Sequence, residues 1–96
     1  MKKLNEIEKE KLIAICELYC FKDRIALLEE YDYDKTFRVS KYKAIKEKLQ
    51  SKKEELTEED KTLLTIAIDW CLNNIKHDRF MEEFYIRLKW KIKGLT

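Results

Sequence analysis

The chain contains no proline and a single glycine in 96 residues, and this scarcity limits its fold more than any other feature. Tight turns and positive-φ positions, which sheets and elaborate loops need, are built largely from these two residues. A chain without them is expected to be mostly helix. We therefore predict an all-α fold, an irregular bundle of four or five helices. The one glycine, Gly94, lies two residues from the C-terminus and suits the C′ position that ends a last helix.

The length is that of one ordinary domain, so residues 1–96 are expected to form a single helical domain. The apolar share of 45% suits a globular core, while the charged share of 42% is well above the roughly 25% of an average domain. Such a chain folds with a densely charged exterior. The opening MKKLNEIEKEK has no apolar segment, and the run Leu12–Cys16 is far too short to span a bilayer. The expectation is a cytoplasmic protein without a membrane association. Cys16, Cys20 and Cys71 follow no extracellular framework spacing and read as reduced thiols. Lysine outnumbers arginine 17 to 4, a bias that AT-rich codons favour, which suggests a low-GC bacterium or a phage or plasmid living in one.

Helix starts are written locally. Asn5 and Glu8 have the N-cap and N3 spacing of a capping box, and Thr57 with Asp60 repeats it, with Glu58 and Glu59 adding negative charge where a helix N-terminus favours it. In the first helix Ile7, Ala14, Leu18, Phe21, Ile25 and Leu28 share one face, and Leu12, Cys16, Cys20 and Leu27 form a second apolar stripe. A helix apolar on two sides is expected to pack on two sides. It runs unbroken to Glu30 or restarts near Asp23. The segment YDYDK at 31–35 reads as a connection, with Asp34 or Ser40 available to cap the next helix. From about Phe37 to Lys53 the apolar positions thin to Phe37, Tyr42, Ile45 and Leu49, the stripe of an outer helix.

After Thr57, Leu63, Leu64, Ile66, Ala67, Ile68, Trp70, Cys71, Leu72 and Ile75 cover most of the helix circumference. That pattern predicts a central helix or one shared in a homodimer. Asn73, Asn74, His77 and Asp78 read as a break with a C-cap and a new N-cap, the alternative being a polar stripe on one long helix over 58–93. The final helix then places Met81, Phe84, Tyr85, Leu88, Ile92 and Leu95 on one face, supported by an i,i+4 pair of Glu83 with Arg87.

The residues offer little for catalysis. Cys16, Cys20, Cys71 and His77 have the ligand types for zinc, but the thiols sit within apolar stripes, where cysteine behaves as a small hydrophobe. No metal site and no cofactor are expected. A nucleophile needs an oriented base and an oxyanion-binding nest; the chain has one histidine and no glycine-rich turn. The expectation is a non-enzyme without catalytic residues, a small enzyme working from an unseen carboxylate pocket being the third reading.

Charge falls in blocks. Residues 1–34 carry six Lys/Arg against nine Asp/Glu, residues 35–53 eight against one, residues 54–75 one against six, and residues 76–96 six against three. The second block is the footprint of a surface that meets phosphate or an acidic protein; alternatively it solvates an outer helix and pairs with the acidic run 54–60. Scarce arginine and the absence of a helix-turn-helix signature disfavour base reading. Tyr31 and Tyr33, beside Asp32 and Asp34, are expected to contact a partner, since tyrosine supplies large area at low entropic cost.

The leading expectation is a helical binding protein that contacts another protein, of the size and composition of an inhibitor that a phage or mobile element directs against a host protein such as a defence nuclease complex. Its partner-binding residues are Tyr31, Tyr33, Arg38, Lys41, Lys43, Lys46, Lys48, Lys52 and Lys53. The alternative is a nucleic-acid-binding regulator that sets the lysines of 35–53 on phosphates.

Overall fold

A computed structural model describes residues 3–51 and 55–94. Among them the chain forms four α-helices and no strand: α1 (Glu6–Glu29), α2 (Tyr33–Gln50), α3 (Glu58–Asn74) and α4 (Arg79–Lys93). The all-helical expectation holds with four helices.

Each helix starts at a side-chain cap. The Asn5 carboxamide accepts from the Glu8 N–H at 2.8 Å while Glu8 accepts from the Asn5 N–H at 2.9 Å, closing the capping box. Thr57 and Asp60 close a second box at 3.0 and 3.1 Å. Asp78 caps α4 by accepting from the Met81 N–H at 2.8 Å. α1 runs unbroken through Asp23, whose carboxylate instead meets Arg38 on α2 at 3.0 Å. The cap of α2 is Asp32, neither Asp34 nor Ser40, and it accepts from the Lys35 N–H at 3.1 Å. The connection is therefore shorter than expected: Tyr33, Asp34 and Lys35 already belong to the helix. Gly94 ends α4 at φ −91°, so the left-handed freedom of glycine is not used there.

α1 and α2 run antiparallel, joined by Asp23–Arg38, by an edge-to-face contact of Tyr19 with Tyr42 at 5.1 Å, and by Glu17–Lys46 at 3.8 Å. α3 crosses this pair. The Tyr42 hydroxyl donates to the Leu63 carbonyl at 2.6 Å, and Tyr19 meets Trp70 edge-on at 5.7 Å. α4 packs on α3 and is tied by Lys89–Asp69 at 2.7 Å and, to the start of α1, by Lys91–Glu8 at 2.6 Å. All four helices feed one core, in which Leu12, Ile15, Tyr42, Ile45, Leu64, Ile68, Leu88 and Ile92 are fully buried.

Two packing results differ from the expectation. On α1 the stripe that goes inward is Leu12, Ile15, Cys16 and Cys20, whereas Ile7, Ala14, Leu18, Phe21, Ile25 and Leu28 face outward. The five large members of that outer face stay 46 to 82% exposed. The reason lies in the packing: α2 and α3 cover that side of α1 and leave the other without a neighbour among the described residues. On α2, Tyr42, Ile45 and Leu49 are buried but Phe37 is exposed. α3 buries Leu64, Ala67, Ile68 and Cys71, but of the expected apolar circumference Ile66 is exposed and Leu63, Trp70, Leu72 and Ile75 are only partly buried, because α1 and α4 cover part of the helix and leave a face outside. On α4, Leu88 and Ile92 are buried and Met81, Phe84 and Tyr85 are half-buried, while Leu95 lies outside the described residues.

Candidate functional site

The candidate site residues divide into two groups with different fates. Four cations of the basic segment are spent on the fold. Arg38 meets Asp23 of α1 at 3.0 Å, Lys46 reaches Glu17 of α1 at 3.8 Å, Lys41 meets Glu59 of α3 at 2.8 Å, and Lys48 meets Asp60 of α3 at 2.5 Å. Lys43 is exposed and makes no ion pair among the described residues. Lys52 and Lys53 lie outside the described residues. Exposed pairs such as Lys41–Glu59 contribute about 0 to 1 kcal/mol each, yet together they halve the charge that a phosphate backbone would meet.

Asp60 is the best-placed acid of this set. Its burial favours the neutral form, but the hydrogen bonds from the Lys48 ammonium and from Thr57 outweigh that and hold its carboxyl below the ordinary range. It thus joins two roles: it closes the capping box of α3 and anchors the basic helix α2 against it.

The aromatic group remains outside. Tyr31 lies in the connection, and Tyr33 and Phe37 occupy the first turns of α2; all three are 53 to 73% exposed. The Tyr33 and Phe37 rings stack with centroids 6.3 Å apart, and the Lys41 ammonium stands 5.2 Å over Phe37. Leu28, at the end of α1, is 82% exposed at the same end of the molecule. Phe37 and Leu28 were missed as site residues because each continues an apolar stripe that suggested the core. The i,i+4 spacing of Tyr33 and Phe37 was the available signal.

No family model, curated protein or solved structure matches the chain. The assignment of function therefore rests on the geometry.

The thiols and the histidine have a structural setting. Cys16, Cys20 and Cys71 are buried and unbridged. Burial pushes the Cys16 thiol up to about 12 and Cys20 and Cys71 to about 11, so the nucleophilic thiolate is scarce at neutral pH. Burial likewise raises the Tyr42 phenol. His77 lies edge-on to Tyr85 at 5.7 Å, with Nδ1 buried and lacking a hydrogen-bond partner. Among the described residues no three His, Cys, Asp or Glu side chains are arranged to hold a metal ion, and no helix is long and apolar enough to cross a membrane. A cleft of about 350 Å³ between α1 and α2 is floored by Cys16, Cys20, Val39 and Tyr42 and rimmed by Arg24, Lys43 and Lys46.

Proposed function

We propose that the chain is a non-enzymatic helical module that works by binding another protein through the aromatic end formed by Tyr31, Tyr33 and Phe37. One observation carries the reading: this end keeps three large aromatic side chains more than half exposed, while the neighbouring cations of α2 are paired with carboxylates of α1 and α3. Contiguous exposed aromatics mark interfaces, where tyrosine and phenylalanine anchors supply most of the binding energy. Lys41, held between Phe37 and Glu59, belongs to the rim of that surface. The small size, the paired charges and the apolar exterior suit an inhibitor that occludes a site on a larger host protein, as a phage or mobile element would encode.

The test compares the wild-type chain with a Tyr31→Ala, Tyr33→Ala, Phe37→Ala variant in affinity capture from a low-GC bacterial lysate. The expected result is a stoichiometric protein partner that survives moderate salt and is lost with the aromatic variant. Retention of that partner by the variant overturns the assignment. So does a gel shift of duplex or single-stranded nucleic acid that weakens steeply with salt, which would return the function to the lysines.

A further inference from the structure

The outer face of α1 has a stricter pattern than an incidental surface stripe. Ile7, Lys11, Ala14, Leu18, Phe21, Ile25 and Leu28 follow one another at alternating spacings of four and three, the 3.5-residue repeat that specifies a coiled-coil seam. Every position of the seam is exposed along the whole of α1, on the side of the helix away from the buried Leu12, Cys16 and Cys20, with the buried Ile15 at its flank. It runs about 32 Å at 1.5 Å per residue. Its five large apolar residues expose about 600 Å² in all, the upper end of what a monomer leaves in one patch.

We propose that the chain forms a parallel homodimer in which the α1 seam of one copy packs on the α1 seam of a second. Full contact of two such faces would bury at most about 1,200 Å² of apolar surface, and the flanking side chains bring the contact to the low end of the range of a stable interface. The flanks are self-complementary. In a parallel pair, the residue just before Lys11, Leu18 or Ile25 faces the residue five places later on the other helix, and the first such pair, Glu10 with the buried Ile15, makes no ion pair. That rule sets Glu17 against Lys22 of the second copy and Arg24 against Glu29 of the second copy, each twice by symmetry. All four side chains are on exposed positions. Lys22, Arg24 and Glu29 make no ion pair among the described residues, and Glu17 makes only the long contact to Lys46 at 3.8 Å.

Lys11 fits the same arrangement. Its aliphatic stem lies in the seam while its ammonium reaches Glu10 of the second copy, and a single lysine at such a position fixes register. An antiparallel pair leaves either Ile7 or Leu28 without an opposing layer; the parallel pair covers both. The parallel arrangement also brings both aromatic ends to one end of the dimer, so that a partner meets two copies of Tyr31, Tyr33 and Phe37 side by side.

Sedimentation equilibrium of the full chain over the micromolar range tests this. The expected mass is twice 11.8 kDa. Ile25→Lys, at an exposed position, should keep the helical circular dichroism and give a monomer. Lys22→Glu should weaken the dimer by about tenfold through repulsion from Glu17, and adding Glu17→Lys should restore it. Tyr33→Ala with Phe37→Ala should leave the dimer intact, which separates this inference from the partner-binding reading. A monomer throughout the concentration range overturns the proposal, as does a dimer indifferent to Ile25→Lys. Rescue of Glu17→Lys by Arg24→Glu in place of Lys22→Glu overturns the parallel arrangement.

Discussion

Asp60→Ala probes the junction on which α2 and α3 depend. The Asp60 carboxylate closes the α3 capping box by accepting from the Thr57 N–H at 3.0 Å and holds the Lys48 ammonium at 2.5 Å, with only 13% of the side chain exposed. Removing it leaves a helix-terminal N–H without its acceptor, about 1 kcal/mol. It also removes a negative charge from the first turn of α3, roughly 0.5 kcal/mol. The Lys48 pair adds little, about 0.5 kcal/mol, because the lysine is 38% exposed and water screens it. The expected loss is therefore about 2 kcal/mol, or roughly 10 °C in Tm for a domain of this size. Urea and thermal unfolding followed by circular dichroism and tryptophan fluorescence measure it. The pH dependence has a fixed sign. A carboxyl held below its ordinary 3.8 in the folded chain contributes stability above that value and loses it as pH falls through the lower folded value. The gap between wild type and Asp60→Ala should thus be full at neutral pH and narrow by about half as acid protonates Asp60, whose neutral carboxyl can still accept from the Thr57 N–H. Asp60→Asn, which can still accept from Thr57, should lose about half as much. A cost under about 0.5 kcal/mol, or a gap undiminished in strong acid, would refute the reasoning.

Tyr42→Phe removes the 2.6 Å bond to the Leu63 carbonyl while keeping the buried ring, and should cost about 1 kcal/mol in urea unfolding; a neutral result would mean that this bond does not help dock α2 on α3. The three thiols should resist iodoacetamide at mildly alkaline pH in the native chain and react together in guanidinium, by mass spectrometry. Their raised values, about 12 for Cys16 and 11 for Cys20 and Cys71, favour the protonated form, so the linked stability is full below the ordinary 9.0 and falls as pH rises through those values. One thiol that reacts rapidly in the folded chain would contradict this. Gly94→Ala meets only the Trp90 and Lys91 carbonyls at 3.6 and 3.7 Å and should be neutral or stabilising by up to about 0.5 kcal/mol; a loss of α4 helicity would refute it.

What was legible in advance was local. The Asn5–Glu8 and Thr57–Asp60 boxes close within one turn, so residue identity three places apart suffices to place both helix starts. The break before Asp78 is legible for the same reason. What was not legible depends on distant residues. Two apolar stripes on α1 compete for the core, and the choice between them lies in which face α2 and α3 cover. The role of Asp23 as a partner of Arg38, when it could equally have capped a new helix, is settled across the α1–α2 contact. The candidate site followed the same division. Tyr31 and Tyr33 stood out because they sit beyond the periodic stretch. The lysines stood out by their density, but their carboxylate partners lie on other helices and nothing in the local sequence marks them.

Those partners reverse the usual assignment of roles to charge and hydrophobicity. In a chain with 42% charged residues, recognition is naturally sought among the charges, yet several of them here set helix against helix: Arg38 and Lys46 against α1, Lys41 and Lys48 against α3, Lys91 against the start of α1. The apolar residues divide instead between a core and an exterior, the latter including the α1 seam, the Tyr31–Phe37 end and, on α3 and α4, Ile66, Phe80, Ile86 and Trp90. Salt should then act on the two properties in opposite ways. Screening of exposed pairs lowers the stability of the fold by a few tenths of a kcal/mol per pair, whereas contacts made by Leu18, Phe21, Ile25, Tyr33 and Phe37 bury apolar area that salt does not screen. A chain whose partner binding and self-association outlast its salt-weakened melting temperature would show that the charges organise the fold and the hydrophobic exterior does the recognising.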